Sequence, residues 1–236
     1  MLNIRPSNTR GYANHGWLES FHSFSFAGYY DPANMGYSVL RVINDDKIAP
    51  ATGFGMHGHQ DMEIITYMLA GELRHTDSMG NGSVIRAGDV QRMTAGTGVR
   101  HSEMNASEQT TAHLLQIWIK PAILDLPPGY EEKTISTESK LNRWALIASP
   151  EAWDGSLKVH QDVTLCATVL EAGHSLPLEV SEGRSAYMHV ARGEVEIDGQ
   201  RLVTGDALKI DDASKLDMRA LETSEVLWFD LPRHVK

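Results

Sequence analysis

The sequence predicts an all-β protein. Short apolar, β-branched runs alternate with turns rich in glycine, asparagine and aspartate, and helical periodicity is weak throughout. Many short strands at regular spacing are typical of a sandwich or a barrel. A polar, proline-containing stretch at residues 123–138 separates two strand-rich regions. We therefore predict two small β-barrels packed together in one chain, a first domain at residues 1–125 and a second at residues 126–236.

The strands of the first half follow from their composition and from the turns between them. They are expected at residues 38–43, 63–69, 72–76, 83–86 and 113–119. The first of these should end at the polar triple Asn44-Asp45-Asp46. Residues 77–82 form a strong turn signal, because asparagine and glycine adopt positive φ readily. The glycine-rich residues 94–99 then lead into the second of two histidine pairs.

The second half reads as a degraded repeat of the first. In each half a strand ends at a glycine followed by glutamate, at Gly71 and at Gly193. A Gly-Asp turn follows in each half, at Gly88 and at Gly205. The histidine pairs are not repeated, since His174 has no partner two residues away. We predict that, if the halves arose by duplication, only the first retains a metal site.

Composition narrows the function and the compartment. The net charge of −10 makes a direct nucleic-acid interface unexpected. The single cysteine, Cys166, can form no intrachain disulfide and no cysteine-based metal site, and it fits a reducing compartment. The chain shows no secretory signal and no apolar run long enough to cross a membrane. These features predict a cytoplasmic protein that binds neither membrane nor nucleic acid.

Two short segments carry the chemistry. His57 and His59 are two residues apart, and so are His101 and Glu103. On a strand this spacing places both side chains on one face, about 6.6 Å apart along the backbone. If the two strands are neighbours, three imidazoles and one carboxylate converge, a set that suits a divalent transition metal with open coordination positions. The alternative interpretation is two unrelated surface pairs.

The order and spacing of these residues resemble the cupin motifs. The matching residues of the first motif are Gly53 or Gly55, His57, His59, Glu63 and Gly71. Those of the second motif are Gly88, Gly98 and His101. The proline usual before the last glycine is absent, and residues 94–98 (Thr-Ala-Gly-Thr-Gly) stand in its place.

Further segments resemble the pirin family, and most closely the bacterial pirins of the quercetinase type. They are residues 16–26, 30–32, 80–81, 93–98, 101–105 and 155–162. The resemblance implies a bicupin of two jelly-roll barrels with metal only in the amino-terminal one. It also implies a metal-dependent dioxygenase that opens the ring of a flavonol such as quercetin, acting as a monomer on a small aromatic substrate and dioxygen. Iron(II) is the metal the resemblance favours, and manganese, nickel, copper and zinc also suit the donors.

Two glutamates compete to complete the metal shell. Glu63 lies four residues beyond His59, about 13 Å along a straight strand, so it would need a bend to reach the metal. Glu103 follows His101 with the spacing of the first pair. Typical cupins use the glutamate of the first motif as a metal ligand, and resemblance to them implies Glu63. Pirins use the glutamate after the histidine of the second motif, and resemblance to them implies Glu103. We predict Glu103 as metal ligand and catalytic carboxylate. Glu63 is then the weaker catalytic candidate, either orienting a ligand imidazole or ending a strand near the cavity.

Two other functions remain open. Some pirins act as metal- or redox-dependent regulatory binding proteins without catalysis, and a dioxygenase could act on another phenolic or enolic compound. Aromatic residues near the amino terminus separate the first alternative from an enzyme, because a barrel mouth plugged by them would exclude a flavonol. The remaining histidines are interpreted as structural: His15, His22, His75, His113 and His160.

Overall fold

The computed structural model describes residues 2–234, and strands dominate them. The elements of the first half are β1 (Asn3–Arg5), β2 (Gly11–Asn14), β3 (Leu18–His22), β4 (Leu40–Ile48), β5 (Gly53–His59), β6 (Glu63–Ala70), β7 (Glu72–Asp77), β8 (Gly82–Arg86), β9 (Asp89–Thr94), β10 (Val99–Asn105), β11 (Ala112–Ile119) and β12 (Gly129–Thr134). A 3-10 turn at Ser7–Thr9 follows β1. The predicted all-β class is confirmed.

The second half continues in the same style after one short helix. Its elements are α1 (Thr137–Lys140), β13 (Ala145–Ser149), β14 (Leu157–Lys158), β15 (Thr164–Leu170), β16 (Ser175–Val180), β17 (Arg184–Arg192), β18 (Glu194–Ile197), β19 (Gln200–Val203), β20 (Ala207–Ile210), β21 (Ser214–Ala220) and β22 (Ser224–Pro232). A 3-10 turn occupies Trp153–Gly155. No helix within residues 2–234 combines the length and the apolar character that crossing a membrane requires.

Each half forms a seven-stranded sheet and a four-stranded sheet. The first half has the strand orders β12-β9-β6-β11-β4-β3-β2 and β5-β10-β7-β8. The second has β1-β20-β17-β22-β15-β13-β14 and β16-β21-β18-β19. Strand for strand the orders correspond, with β5 and β10 equivalent to β16 and β21. The edge strand β1 pairs with β20 and so belongs to the second barrel. The edge strand β12 pairs with β9 and so belongs to the first barrel. The division into domains at residues 1–125 and 126–236 remains a prediction.

The equivalent strand orders support the internal repeat. Gly71 and Gly193 both have positive φ, +71° and +84°. A Cβ on Gly71 would lie 2.7 Å from the Thr111 carbonyl oxygen, and one on Gly193 would lie 2.7 Å from the Thr223 carbonyl oxygen. Both sites need glycine because the backbone conformation and the space exclude a side chain. Neither β16 nor β21 contains a histidine, so the second barrel lacks the counterpart of the histidine pairs.

The expected turn at Asn44-Asp45-Asp46 is wrong, because β4 runs through all three residues to Ile48. All three side chains are buried, yet each has a polar partner. Asp45 accepts from Arg10 on the face toward the second barrel. Asn44 and Asp46 lie on the opposite face, with His22 and Ser20 as partners. Polar residues are tolerated inside a strand when their buried groups are hydrogen-bonded. The strand therefore continues through these three residues.

The two seven-stranded sheets pack against each other. Their facing residues form one hydrophobic cluster that includes Phe24 and Ile65 from the first half and Tyr187 and Phe229 from the second. A buried ionic group joins them at one end, where Lys140 donates to Glu225 at 2.5 Å and to the Tyr67 hydroxyl at 2.6 Å. The metal-candidate strands β5 and β10 lie in the other, four-stranded sheet, so this packing leaves the first barrel's interior open to a ligand.

His189 predicts a pH dependence of stability. Its ring nitrogens have no hydrogen-bond partner among residues 2–234. Burial lowers its pKa from 6.5 to about 4, the charge of Arg10 adds to this, and Asp45 and Asp206 oppose it. His189 therefore binds a proton near pH 6.5 in the unfolded chain but only near pH 4 in the folded chain. The folded state consequently loses stability as the pH falls from 6.5 toward 4.

Replacing His189 with leucine should remove this loss. As the pH falls from about 6.5 to about 4, the wild type should lose about 1.4 kcal/mol of unfolding free energy per pH unit that the variant does not lose. The variant should therefore gain that much relative to the wild type for each pH unit. Urea unfolding of both proteins at several pH values in that window measures the difference. A difference that does not change with pH would contradict the assignment.

Candidate metal centre

Three histidines converge at the neighbouring strands β5 and β10. The strands are antiparallel, and His57 and His101 are direct partners in the register. The ring centroids of His57 and His59 are 4.8 Å apart, those of His57 and His101 4.5 Å, and those of His59 and His101 4.9 Å. One nitrogen from each ring lies within 4.8 Å of the others. The geometry brings the three predicted histidine ligands together.

The protonation states leave lone pairs free in this cluster. The Nδ1–H of His57 donates to the Gly55 carbonyl at 2.8 Å, which leaves Nε2 as its acceptor atom. Burial lowers the pKa of His59 to about 4, and the neighbouring His57 adds to this. Burial likewise lowers the pKa of His101 to about 3, with further contributions from His57 and His59. Neutral imidazoles are the form that binds metals.

The donor set fits a divalent transition metal. His101 is 1% exposed, and neither of its ring nitrogens has a hydrogen-bond partner among residues 2–234. Leaving a buried polar group unpaired costs about 1–3 kcal/mol. Three imidazole nitrogens within 4.8 Å of one another, with those of His101 otherwise unpaired, are an arrangement that a metal ion would satisfy.

Glu103 is held beside the cluster by three hydrogen bonds. A register shift in β10 separates it from His101 and places it opposite Phe54. Thr66 and the Gln91 amide donate to its Oε1 at 3.2 and 3.1 Å, and the Gln116 amide donates to Oε2 at 2.8 Å. Burial raises the pKa of Glu103 to about 7, and these donors oppose the rise. A carboxylate accepts about four hydrogen bonds, so about one position remains for a metal or a proton.

Glu63 serves another contact. It is fully buried, and within residues 2–234 the hydrogen bonds to its carboxylate come from Thr94 Oγ1 at 3.1 Å and from His160. His160 lies just before the second barrel's strand β15, so this contact ties the two halves together. Within residues 2–234, donor atoms of Glu103 lie within 4.8 Å of those of His101 and His75, but Glu103 does not share a group of that size with His57 and His59, and Glu63 belongs to neither group.

His75 belongs to the site although its sequence context suggested a hairpin end. It is fully buried and lies opposite Glu103 in the register of β7 and β10. Its ring centroid is 5.4 Å from that of His101, and a donor atom of each lies within 4.8 Å of the Glu103 carboxylate. Its Nε2 lies 3.2 Å from Asp77 Oδ2. The signal was present in the sequence, because Leu73, His75 and Asp77 alternate with exposed residues and share the inner face.

A cavity of about 780 Å³ opens beside the cluster. Its walls are largely aromatic, with Trp17, Phe26, Phe54 and Trp118 among them, and His57, His59 and Glu103 lie at its lining. The Trp118 ring stands at 5.0 Å from the His59 ring. Sites for small molecules typically enclose about 300–1,000 Å³. The aromatic residues thus line a cavity and do not fill it.

The comparisons with known proteins agree with this architecture. The model of the family described as Pirin matches residues 3–119, and that described as the quercetinase C-terminal cupin domain matches residues 146–231. Quercetin 2,3-dioxygenase from Escherichia coli K12 is 47% identical over 232 residues, which cover 98% of this chain and 99% of the relative.

The chain belongs to the pirin family.

Other pirins extend the comparison to structures and to other bacteria. A pirin-like protein of Caulobacter vibrioides is 40% identical over 98% of this chain and 99% of its own length. The crystal structure of the bacterial pirin YhhW from Escherichia coli in complex with nickel(II) has a TM-score of 0.94 and 47% identity, covering 99% of this chain and all of that one. The predicted bicupin fold of this pirin is confirmed.

The remaining predicted positions are also accounted for. His113 Nε2 lies 2.7 Å from Asp45 Oδ1, as expected of a histidine with a structural partner. His15 and His22 line the cavity with the aromatic residues and lie outside the histidine cluster. His22 nonetheless has a polar partner in the cavity, because its Nδ1 lies 2.8 Å from Asn44 Oδ1.

Proposed function

We propose that this pirin is a metal-dependent dioxygenase that opens the ring of a flavonol such as quercetin. The observation that carries the proposal is an aromatic-lined cavity of about 780 Å³ with His57 and His59 of the three-histidine cluster in its lining. The name of the 47% identical Escherichia coli relative supports the substrate class. Flat aromatic walls suit a flat polyphenol, because ring faces and edges pack favourably against one another.

The residues proposed to hold the metal are His57, His59, His101 and Glu103. When bound, a divalent metal would supply Lewis-acid polarisation of the flavonol's hydroxyl and carbonyl oxygens. Iron(II) remains our first choice by family resemblance, and the nickel(II) complex of the Escherichia coli pirin keeps nickel on the list with manganese, copper and zinc. Affinity for such a site generally rises from manganese through iron and nickel to copper in any protein, so affinity alone does not identify the physiological ion.

Glu103 is proposed to receive the proton of the substrate hydroxyl. Because its three donors leave about one acceptor position, that position would serve the metal before the proton arrives and the proton afterwards. Its raised pKa, about 7, makes the carboxyl a better match to neutral conditions than an ordinary glutamate. Thr66, Gln91 and Gln116 fix the carboxyl's position, so it is oriented before substrate arrives. The aromatic walls exclude water from the reacting ring.

Two alternatives predict different behaviour. A purely regulatory binding protein has no need for an open, aromatic-lined cavity at its metal residues, so the cavity favours an enzyme. A dioxygenase of another phenolic or enolic compound would use the same residues and differ only in its substrate. We also propose a cytoplasmic location and a monomeric state, on the single cysteine and on family resemblance.

The deciding experiment is oxygen uptake with quercetin. Protein stripped of metal is reloaded separately with iron(II), manganese, nickel, copper or zinc, and oxygen consumption and carbon monoxide release are recorded. We expect uptake that depends on metal, with carbon monoxide released in proportion, and loss of both in a His57→Ala variant. Full metal loading without uptake would exclude a flavonol dioxygenase and favour another substrate or the regulatory function.

A further inference from the structure

A row of polar side chains runs across the sheet beside the cavity, and Gln116, Asn44 and His22 of this row line the cavity. The row occupies five adjacent strands, and each member is the register partner of the next. Its members are Gln91, Thr66, Gln116, Asn44 and His22. Each is more than nine-tenths buried. An uninterrupted polar row inside a barrel is costly unless its groups have partners, so each half of the row requires an explanation.

The first half of the row is explained by Glu103, and the second is not. Gln91, Thr66 and Gln116 all donate to the Glu103 carboxylate. Asn44 and His22 continue the row away from Glu103 and bond to each other, with His22 Nδ1 2.8 Å from Asn44 Oδ1. Nothing in the proposed chemistry uses this pair.

A second pair lies directly beside it. Ser20 and Asp46 are register partners on β3 and β4, two residues along from His22 and Asn44. The Ser20 hydroxyl donates to Asp46 Oδ1. Both residues are at most 2% exposed and both line the cavity, as do His22 and Asn44. We name these four residues the polar station.

The polar station retains hydrogen-bonding capacity toward the cavity. The Ser20 hydroxyl donates to Asp46 Oδ1, His22 Nδ1 bonds to Asn44 Oδ1, and Ser20 Oγ also lies 3.3 Å from His22 Nδ1. Within residues 2–234 no further side-chain hydrogen bond engages Asp46 Oδ2 or the Asn44 amide nitrogen, so the first is available as an acceptor atom and the second as a donor atom for a ligand. Burial raises the pKa of Asp46 to about 7, so the station carries an energetic cost that packing alone does not repay.

We propose that the polar station binds two adjacent hydroxyl groups on the aromatic ring of the substrate that lies farthest from the histidine cluster. Asp46 Oδ2 accepts from one hydroxyl, and the Asn44 amide donates to the oxygen of its neighbour. This inference rests on the proposed function and specifies its substrate as a flavonol with vicinal hydroxyls on the pendant ring.

The separation along the sheet suits this assignment. Asn44 lies one strand from Gln116, which holds Glu103, and Asp46 lies two residues farther along β4. One strand spacing and two residues of rise place Asp46 about 8 Å from Gln116 across the sheet. His57 and His59 line the same cavity as the station, so a flavonol's fused rings would lie at these histidines while the pendant ring reaches the station. A buried carboxyl also disfavours anionic ligands such as phosphate esters.

The test compares two flavonols that differ only on the pendant ring. Quercetin carries two adjacent hydroxyls there, and galangin carries none. Binding to the metal-loaded protein is measured without oxygen by quenching of tryptophan fluorescence, since Trp17 and Trp118 line the cavity. Turnover of both compounds is then measured with oxygen. The variants are Asp46→Asn and Ser20→Ala. The control is Lys47→Gln, whose side chain lies on the outer surface beside Glu19.

We expect the wild type and the Lys47→Gln control to bind quercetin at least about tenfold more tightly than galangin, the effect of one or two good hydrogen bonds. Both station variants should lose most of this preference, because their affinity for quercetin falls while their affinity for galangin stays unchanged. Weakening of both compounds alike, no preference in the wild type, or no flavonol binding would overturn the proposal. Preferential binding without turnover would leave the station standing and remove the proposed dioxygenase function; turnover without preference would do the reverse.

Discussion

Replacing His101 with alanine is expected to abolish metal binding and, with it, oxygen uptake with quercetin. His101 is the most buried of the three histidines, and its ring lies within 5 Å of both others. Loss of a partner that merely orients a ligand costs about 10–100-fold in metal affinity, so loss of a ligand should cost at least about 100-fold. Competition with a coloured chelator measures the affinity directly.

Thermal unfolding supplies an independent readout for the same variant. A metal at 100 times its dissociation constant stabilises the folded state by about 2.7 kcal/mol, which the wild type should display as a raised unfolding temperature. The His101→Ala variant should gain nothing from added nickel(II). His174→Ala is the matched control, because His174 is exposed and lies outside the cluster. Equal metal affinity in His101→Ala and wild type would refute the assignment of the ligands.

Exchanging each candidate glutamate for glutamine should separate chemistry from structure. Glu103→Gln is expected to lower turnover by about 10²- to 10⁴-fold, the usual contribution of a positioned acid or base. The shape of the side chain is preserved, so the loss should appear in the rate more than in the fold. Oxygen uptake with quercetin, normalised to bound metal, measures the effect.

Glu63→Gln is the matched comparison at the neighbouring acid. Glu63 contacts Thr94 and His160, so its replacement should lower the unfolding temperature while turnover per bound metal stays within a fewfold of the wild type. Measuring metal content, turnover and thermal unfolding for both variants completes the test. Loss of metal and activity in Glu63→Gln with both kept in Glu103→Gln would reverse the two roles.

Several features of the structure could be read directly from local patterns. The strand spacing of His57 with His59 follows from backbone geometry alone, because alternate side chains of any strand share a face. Gly71 and Gly193 indicated the internal repeat, because each ends a strand at a turn whose backbone conformation excludes a side chain. His75 was available by the same alternation, and only the assumption that it ended a hairpin concealed it.

Other features could not be predicted from the sequence, because they depend on hydrogen-bond partners that are remote in the chain. The triple Asn44-Asp45-Asp46 resembles a turn by composition. It lies within β4 because Ser20, His22 and Arg10 satisfy its buried polar groups. A turn and a hydrogen-bonded strand interior have the same composition here, and only the contacts distinguish them.

The sequence by itself determined that His57 and His59 share one face of a strand and that the second half lacks such a pair. The pairing of β5 with β10, which brings His101 to them, came from the tertiary structure. Only the tertiary structure shows which glutamate lies nearer the histidines, and Glu103 as a metal ligand remains our proposal. A register shift in β10 and donors from three other strands place Glu103 beside the histidines, while His160 draws Glu63 into the contact between halves. Alternation along a strand is a local property of the backbone, whereas register, bulges and packing between barrels depend on residues far apart in the chain.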